Sequence, residues 1–256
     1  MKEQQHLDKL ILIHQRRLHV LEVQAASFGL TTPPHILLEI EDIRKEIATI
    51  EAQLAQNKKS DGNKRISGEG DMITILFLAA DPTNASRLRL GEESREIQEK
   101  LQLAKLRDQF KLEQRMSVRP ADISQALLDV KPKIVHFSGH GTGTGALCFE
   151  NQAGEIHSIE PDALAALFEQ FADQVSCVLL NACYSEIQSK AISAHIDYVI
   201  GMNQAIGDKA AIAFAIGFYQ ALGGGRTVED AFKLGCVQLR LQNIPEHLTP
   251  VLNKKR

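Results

Sequence analysis

Two short runs end in residues that together could make a nucleophile and its base. The first reads Ile134-Val-His-Phe-Ser-Gly-His140-Gly-Thr-Gly-Thr-Gly145, and the second reads Val178-Leu-Leu-Asn-Ala-Cys183-Tyr-Ser185. Each begins as an apolar, β-branched stretch and leaves it through a turn. In an open parallel sheet, sites form where strands end at their carboxyl edge. If these two strands are neighbours, His140 and Cys183 stand side by side there. An imidazole next to a thiol can hold it as thiolate, and a thiolate attacks a carbonyl carbon. The glycines around His140 let the backbone approach a substrate and offer N–H groups to a developing oxyanion.

Each signal alone has a plainer explanation. A cysteine at a strand end usually packs. The glycine run could be a loose turn or a phosphate-binding loop, but no Lys-Ser or Lys-Thr pair follows it, as a phosphate loop requires. His136 lies four residues before His140, yet no third ligand has suitable spacing, so His136 is expected to pack or bond locally and no metal is expected. Cys148, Cys177 and Cys236 read as small core residues.

The elements that must hold these residues begin at Met72. Apolar β-branched runs at 73–78, 134–137, 178–180 and 198–200, with a weaker one at 110–116, read as strands. Cys148 lies on a further expected strand. Helical stretches fall at 91–105, 121–130, 161–171 and 185–194, and helices at 208–222 and 227–241 close the chain. Strands alternating with helices imply an α/β fold, a mostly parallel sheet covered on both faces. Residues 1–56 read instead as two amphipathic helices broken at Gly29 and Thr31-Thr32-Pro33-Pro34. The second carries an isoleucine seam at Ile36, Ile40, Ile43, Ile47 and Ile50, ending at Leu54, so the pair should close as a hairpin. Residues 57–71, NKKSDGNKRISGEGD, read as a flexible linker, and residues 72–256 as one domain.

With 256 residues, 44% of them hydrophobic, the chain can bury one full-sized core and a small appendage. A net charge of −3 gives no field that would draw nucleic acid or an acidic membrane. Four scattered cysteines with no CxxC pair fit reduced thiols in a cytoplasm rather than a disulfide framework. The N-terminus lacks an apolar signal-peptide core, and no run approaches 18 apolar residues, so no membrane span is expected. The basic cluster at the C-terminus reads as solvated.

The segments VHFSGHGTGTGALCFE and CVLLNACYS, with GMNQAIGDKAAIAFAIGFYQALGGGRTVEDAFKLG after them, resemble the CHAT branch of the caspase-like (clan CD) cysteine peptidases. The opening ILFLAADP and the following RLRLGEESREIQEKL resemble the start of such domains. The resemblance implies a caspase-like sheet, with Cys183 as nucleophile and His140 as base or orienting group. It also implies peptide-bond cleavage through an acyl-enzyme, with no metal and no cofactor. By analogy it makes the backbone N–H groups of Gly141 and Cys183 the oxyanion donors. Relatives with Asp two residues before the cysteine accept basic P1 side chains; this chain has Asn181 there. Asp208 matches a place that lines the S1 pocket in some relatives, and it also reads as a helix N-cap. The N-terminal hairpin, through LEVQAASFGLTTPPH and the isoleucine seam, resembles helical adaptor modules fused to bacterial signalling and defence effectors.

The expectation is a regulated cysteine endopeptidase acting on a protein substrate, recruited or activated by a protein partner through the hairpin. The alternative is a caspase-like interaction module that no longer cleaves. A nucleotide-binding domain using the glycine run lacks the acidic residue and lysine that such sites use.

Overall fold

In the computed structural model the described residues are 72–255 together with His14, Arg17, Leu21, Pro33, residues 39–46 and Thr49. The chain divides into two units, Met1–Lys64 and Arg65–Arg256. Within the first, the described residues other than Pro33 are helical. Arg17 Nε donates to Glu39 Oε1 at 2.9 Å, His14 Nδ1 lies 3.2 Å from Glu46 Oε2, and Leu21, Ile40 and Ile43 are buried. The expected hairpin as a whole and the expected linker at 57–71 lie outside the described residues.

The second unit starts with β1 (Ile73–Ala79), α1 (Leu90–Gln102), β2 (Phe110–Arg115), α2 (Pro120–Val130) and β3 (Ile134–Ser138). It continues through three short strands, β4 (His140–Gly141), β5 (Leu147–Glu150) and β6 (Ile156–Ile159). Then come α3 (Pro161–Glu169), β7 (Cys177–Asn181), α4 (Glu186–Ile192) and β8 (Tyr198–Met202). The last elements are α5 (Asp208–Gly223), α6 (Val228–Leu241) and β9 (Pro250–Lys254). The main sheet has the order β2-β1-β3-β7-β8-β9, parallel except for the antiparallel edge strand β9. Strands β4, β5 and β6 form a separate antiparallel sheet. The fold is the mostly parallel α/β arrangement that the alternating pattern implies.

Side-chain alternation sorts the strands onto two cores. Ile75, Phe77, Ile134 and Leu179 face α1, α5 and α6, whereas Leu76, Leu78, Val135, Phe137 and Leu180 face α2, α3 and α4. Every residue of β3 and β7 is buried, as a strand covered on both faces requires. Full burial of each large apolar side chain is worth about 1.5–3 kcal/mol. Thr227 starts α6 as its N-cap, its Oγ1 accepting from Asp230 N at 3.2 Å.

Two features depart from the expected pattern. The strand β6 carries mostly exposed residues and has no apolar run to announce it. The helix at 228–241 is not the closing element: β9 follows it, paired along β8, with Asn253 Nδ2 donating to Ser189 Oγ at 2.7 Å and Lys254 Nζ 2.5 Å from Glu229 Oε1, while Lys254 and Lys255 of the basic cluster are exposed. Neighbouring-strand pairing, a tertiary cause, overrides the basic, turn-like local sequence.

Candidate active site

The parallel register of β3 on β7 pairs Ser138 with Asn181. Two residues beyond that pair, the chain reaches His140 on one side and Cys183 on the other. The main chain of Gly141 passes close against that of Cys183: a Cβ added at Gly141 would lie 2.0 Å from the Cys183 carbonyl oxygen. Only glycine permits that approach, which gives Gly141 a steric reason beyond the turn it opens. His140 and Gly141 form β4, held against Cys148 and Leu147 of β5. The rest of the glycine run is the turn between these strands, with Thr142 N donating to Ala146 O at 2.9 Å and Gly145 at φ 89°.

His140 Nε2 lies 2.7 Å from the carbonyl oxygen of Ser86, in the loop between β1 and α1. A carbonyl only accepts, so Nε2 carries the proton and Nδ1 keeps its lone pair. In the neutral ring that leaves Nδ1 free to accept a proton. The loop presenting Ser86 is itself tied down: Asp81 receives Arg87 Nη1 at 2.9 Å, and Ile156 N donates to Asn84 Oδ1 at 2.9 Å.

Cys183 is partly exposed. Its sulfur receives the Ile206 N–H at 3.5 Å, while the thiol donates to Ile206 O at 3.7 Å. Ile206 thus brackets the sulfur with one donor and one acceptor. The Cys183 amide N–H has no acceptor among the described residues, and Tyr184 after it takes a left-handed φ of 55°. Such a turn takes the chain out of the line of β7 just after Cys183, at a conformational cost of about 1–3 kcal/mol. The other thiols are poor nucleophiles by comparison. Burial pushes Cys177 up to about 12 and Cys236 up to about 11, and it also raises Cys148.

A cavity of about 40 Å³ opens beside the dyad, lined among others by His140, Cys183, Asn181, Asp208 and Glu93. By volume it has room for roughly three ordered waters or the head of one polar side chain. Asp208 is half-buried and is the first residue of α5; the N-cap position belongs to Gly207, whose N–H donates to Glu246 Oε2 at 2.8 Å. The capping alternative for Asp208 is therefore set aside. Asn181 is buried, with Nδ2 donating to Glu93 Oε1 at 2.5 Å and to Ala211 O at 3.1 Å. Its Oδ1 is buried without a partner.

Beneath His140 and Cys183 lies a polar network around a buried carboxyl group that residue types alone did not disclose. Glu93, 2% exposed, accepts the Ser138 hydroxyl on Oε2 and the Asn181 amide on Oε1. His136 Nε2 lies 3.0 Å from Glu93 Oε1, an ion-pair separation whose angle falls short of a hydrogen bond. His136 Nδ1 meets the Tyr219 hydroxyl at 3.1 Å. Burial raises the Glu93 carboxyl, but the His136 ring 3.0 Å away, together with the Ser138 and Asn181 hydrogen bonds, outweighs it, so the group sits below the ordinary glutamate value. Among the described residues no group of His, Cys, Asp or Glu is arranged to hold a metal ion.

Comparison with known proteins gives consistent relatives. A family model described as CHAT domain matches residues 2–247. A Roc-COR-CHAT protease from an unknown prokaryotic organism is 26% identical over 178 residues, covering 67% of this chain and 17% of that one. A probable protease of Gillisia limnaea is 26% identical over 163 residues, covering 63% of this chain and 29% of that one. The chain thus spans less than a third of the length of either relative. Among solved structures, caspase-1 from Spodoptera frugiperda superposes with a TM-score of 0.51 at 14% identity, covering 74% of this chain and 88% of that one, which is a likeness of fold.

Proposed function

The chain belongs to the CHAT-domain family, and from that premise we propose that it is a cysteine endopeptidase working through Cys183 and His140. The observation that carries the proposal is the β3–β7 register, which brings the two strand exits together with Gly141 close against the Cys183 main chain. His140 Nδ1 takes the thiol proton while the Ser86 carbonyl holds the ring through Nε2–H. The thiolate then attacks the scissile carbonyl carbon, and the oxyanion is received by the N–H groups of Gly141 and Cys183. His140 returns the proton to the leaving amine, and water, deprotonated by the same nitrogen, releases the acyl group from the sulfur. Asn181 Oδ1 and the Asp208 carboxylate face the P1 side chain, where two acceptors suit a basic residue.

The names of the two relatives, both proteases, support a protein substrate. The larger Roc-COR-CHAT relative fits a peptidase that works with other modules, and recruitment is assigned to residues 1–56, in a signalling or defence setting. Among the described residues no helix is long and apolar enough to cross a membrane.

The test is to incubate the purified chain with a labelled peptide library and map new N-termini by mass spectrometry. Wild type should cut, Cys183→Ala and His140→Ala should not, iodoacetamide should inactivate, and EDTA should have no effect. Cleavage surviving in a folded Cys183→Ala protein rules the dyad out. A folded wild type that cuts nothing and whose Cys183 resists alkylation is the silent interaction module instead.

A further inference from the structure

We propose that Glu93 is a positioning residue that sets the spacing of the dyad by joining the two strand ends that carry it. The assignment rests on the peptidase reading of Cys183 and His140, and its starting point is a coincidence of register. Ser138 and Asn181 are paired across β3 and β7, each two residues before a member of the dyad. One carboxylate binds both: Oε2 accepts from Ser138 and Oε1 from Asn181. The backbone then has only Gly139 or Ala182 between each clamped residue and its dyad member, with Gly139 N donating to Asn181 O at 3.3 Å.

The clamp reaches into the site from a third element. Glu93 lies in the first turn of α1, directly after the loop whose Ser86 carbonyl holds His140. The positive end of that helix favours a carboxylate there. Movement of α1 therefore acts on the dyad by two routes, through Ser86 on the imidazole and through Glu93 on both strands. The far side is fixed as well, since Asn181 Nδ2 also binds Ala211 O and His136 meets Tyr219, both on α5.

Packing alone does not call for such a network. Burying a carboxylate costs several kcal/mol in desolvation, and an apolar replacement of similar volume is often as stable or more so. What directional bonds add is register: a carboxylate accepts from two donors at set angles, whereas a leucine would fix no angle between the two strand ends. A misplacement of about 1 Å at a reacting pair costs on the order of 100-fold in rate.

Glu93→Gln keeps the shape but turns one acceptor into an N–H₂ group, so the Ser138 hydroxyl must reverse to accept and the charge that strengthens both bonds is lost. In the full chain, kcat on a cleaved peptide should fall on the order of 100-fold, with KM within about threefold. The pH profile of Cys183 alkylation by iodoacetamide should shift towards that of His140→Ala. Ser138→Ala, which removes one bond and leaves the charge, should show a smaller loss in the same parameter. Leu127→Ala, on the opposite face of the sheet, serves as a control that lowers the melting temperature without moving either readout. The proposal is overturned by a folded Glu93→Gln protein with wild-type kcat and alkylation profile. It is equally overturned by a loss confined to KM, which would make Glu93 a substrate contact, or by a control that loses kcat to the same extent. Alkylation needs no substrate, so the clamp is still tested if the wild type cuts nothing.

Discussion

The two faces of the main sheet are built on different principles. The face covered by α2, α3 and α4 is closed by apolar side chains such as Leu127, Phe137, Phe168 and Leu180. The face covered by α1, α5 and α6 has an apolar floor too, but its upper edge carries His136, Ser138 and Asn181, with Glu93 and Tyr219 completing the network. Adjacent residues of one strand thus answer to opposite demands: Leu180 is held by packing and Asn181 by hydrogen bonds. Non-directional contacts can stabilise a sheet, but only directional ones define where its ends stop. The site lies at the edge of the second face for that reason.

The largest contrast should come from deleting side chains on each face. Leu127 is fully buried, and Leu127→Ala should cost about 2–5 kcal/mol of unfolding free energy by denaturant titration. The folded fraction should keep its kcat. Tyr219→Phe on the other face removes only the hydroxyl that meets His136 Nδ1, leaving a buried nitrogen unpartnered at a cost of about 1–3 kcal/mol. Its kcat should fall although its stability loss is the smaller. Equal kcat losses in both variants would erase the distinction between the faces.

The same contrast explains what could be read from residues alone. Apolar alternation is a strong local signal, so the strands at 73–78, 134–137 and 178–180 were expected within one or two residues of β1, β3 and β7. The weaker run at 110–116 is β2. Strand β6 has no such signal, and β9 exists because β8 offers it an edge. His140 and Cys183 stood out because their side chains have few other uses at a strand exit. Ser86 contributes a backbone carbonyl, which any residue type carries, so nothing in its identity marks it. Glu93 was hidden differently: it is one of four acidic residues on an amphipathic helix, Glu92, Glu93, Glu96 and Glu99, and only the fold shows which one turns inward.

Acid should sharpen the comparison next. Glu93 sits below its ordinary value because its partners outweigh burial. A carboxyl with a depressed folded-state pKa contributes stability that is fully present above its unfolded pKa and is lost as pH falls through the folded one. The contribution should therefore be complete above about pH 5 and should fade below the unfolded glutamate value of about 4.3. Unfolding free energy measured from pH 7 to pH 3 should fall more steeply for wild type than for Glu93→Gln, whereas Leu127→Ala should run parallel to wild type. Parallel curves for Glu93→Gln would mean that the carboxyl gains nothing from its partners in the folded state.

The smallest effect concerns two left-handed residues, one under each face. Lys131 closes α2 at φ 48°, with its N–H on Leu127 O at 3.0 Å, and Tyr184 follows Cys183 at φ 55°, with its N–H on Gln204 O at 3.2 Å. An L-residue in this region costs about 1–2 kcal/mol, and glycine relieves it at an entropic cost of about 0.5–1 kcal/mol. Lys131→Gly should therefore stabilise the protein by about 0.5–1 kcal/mol and leave kcat alone, because a helix end under the apolar face positions nothing reactive. Tyr184→Gly relieves the same local strain but also frees the turn that holds Cys183 out of β7. Its melting temperature should change little while kcat falls and Cys183 alkylation changes rate. If Tyr184→Gly keeps full activity, the left-handed turn is only a consequence of the chain's path, and the positioning of the sulfur rests on Ile206 and Gly141 alone.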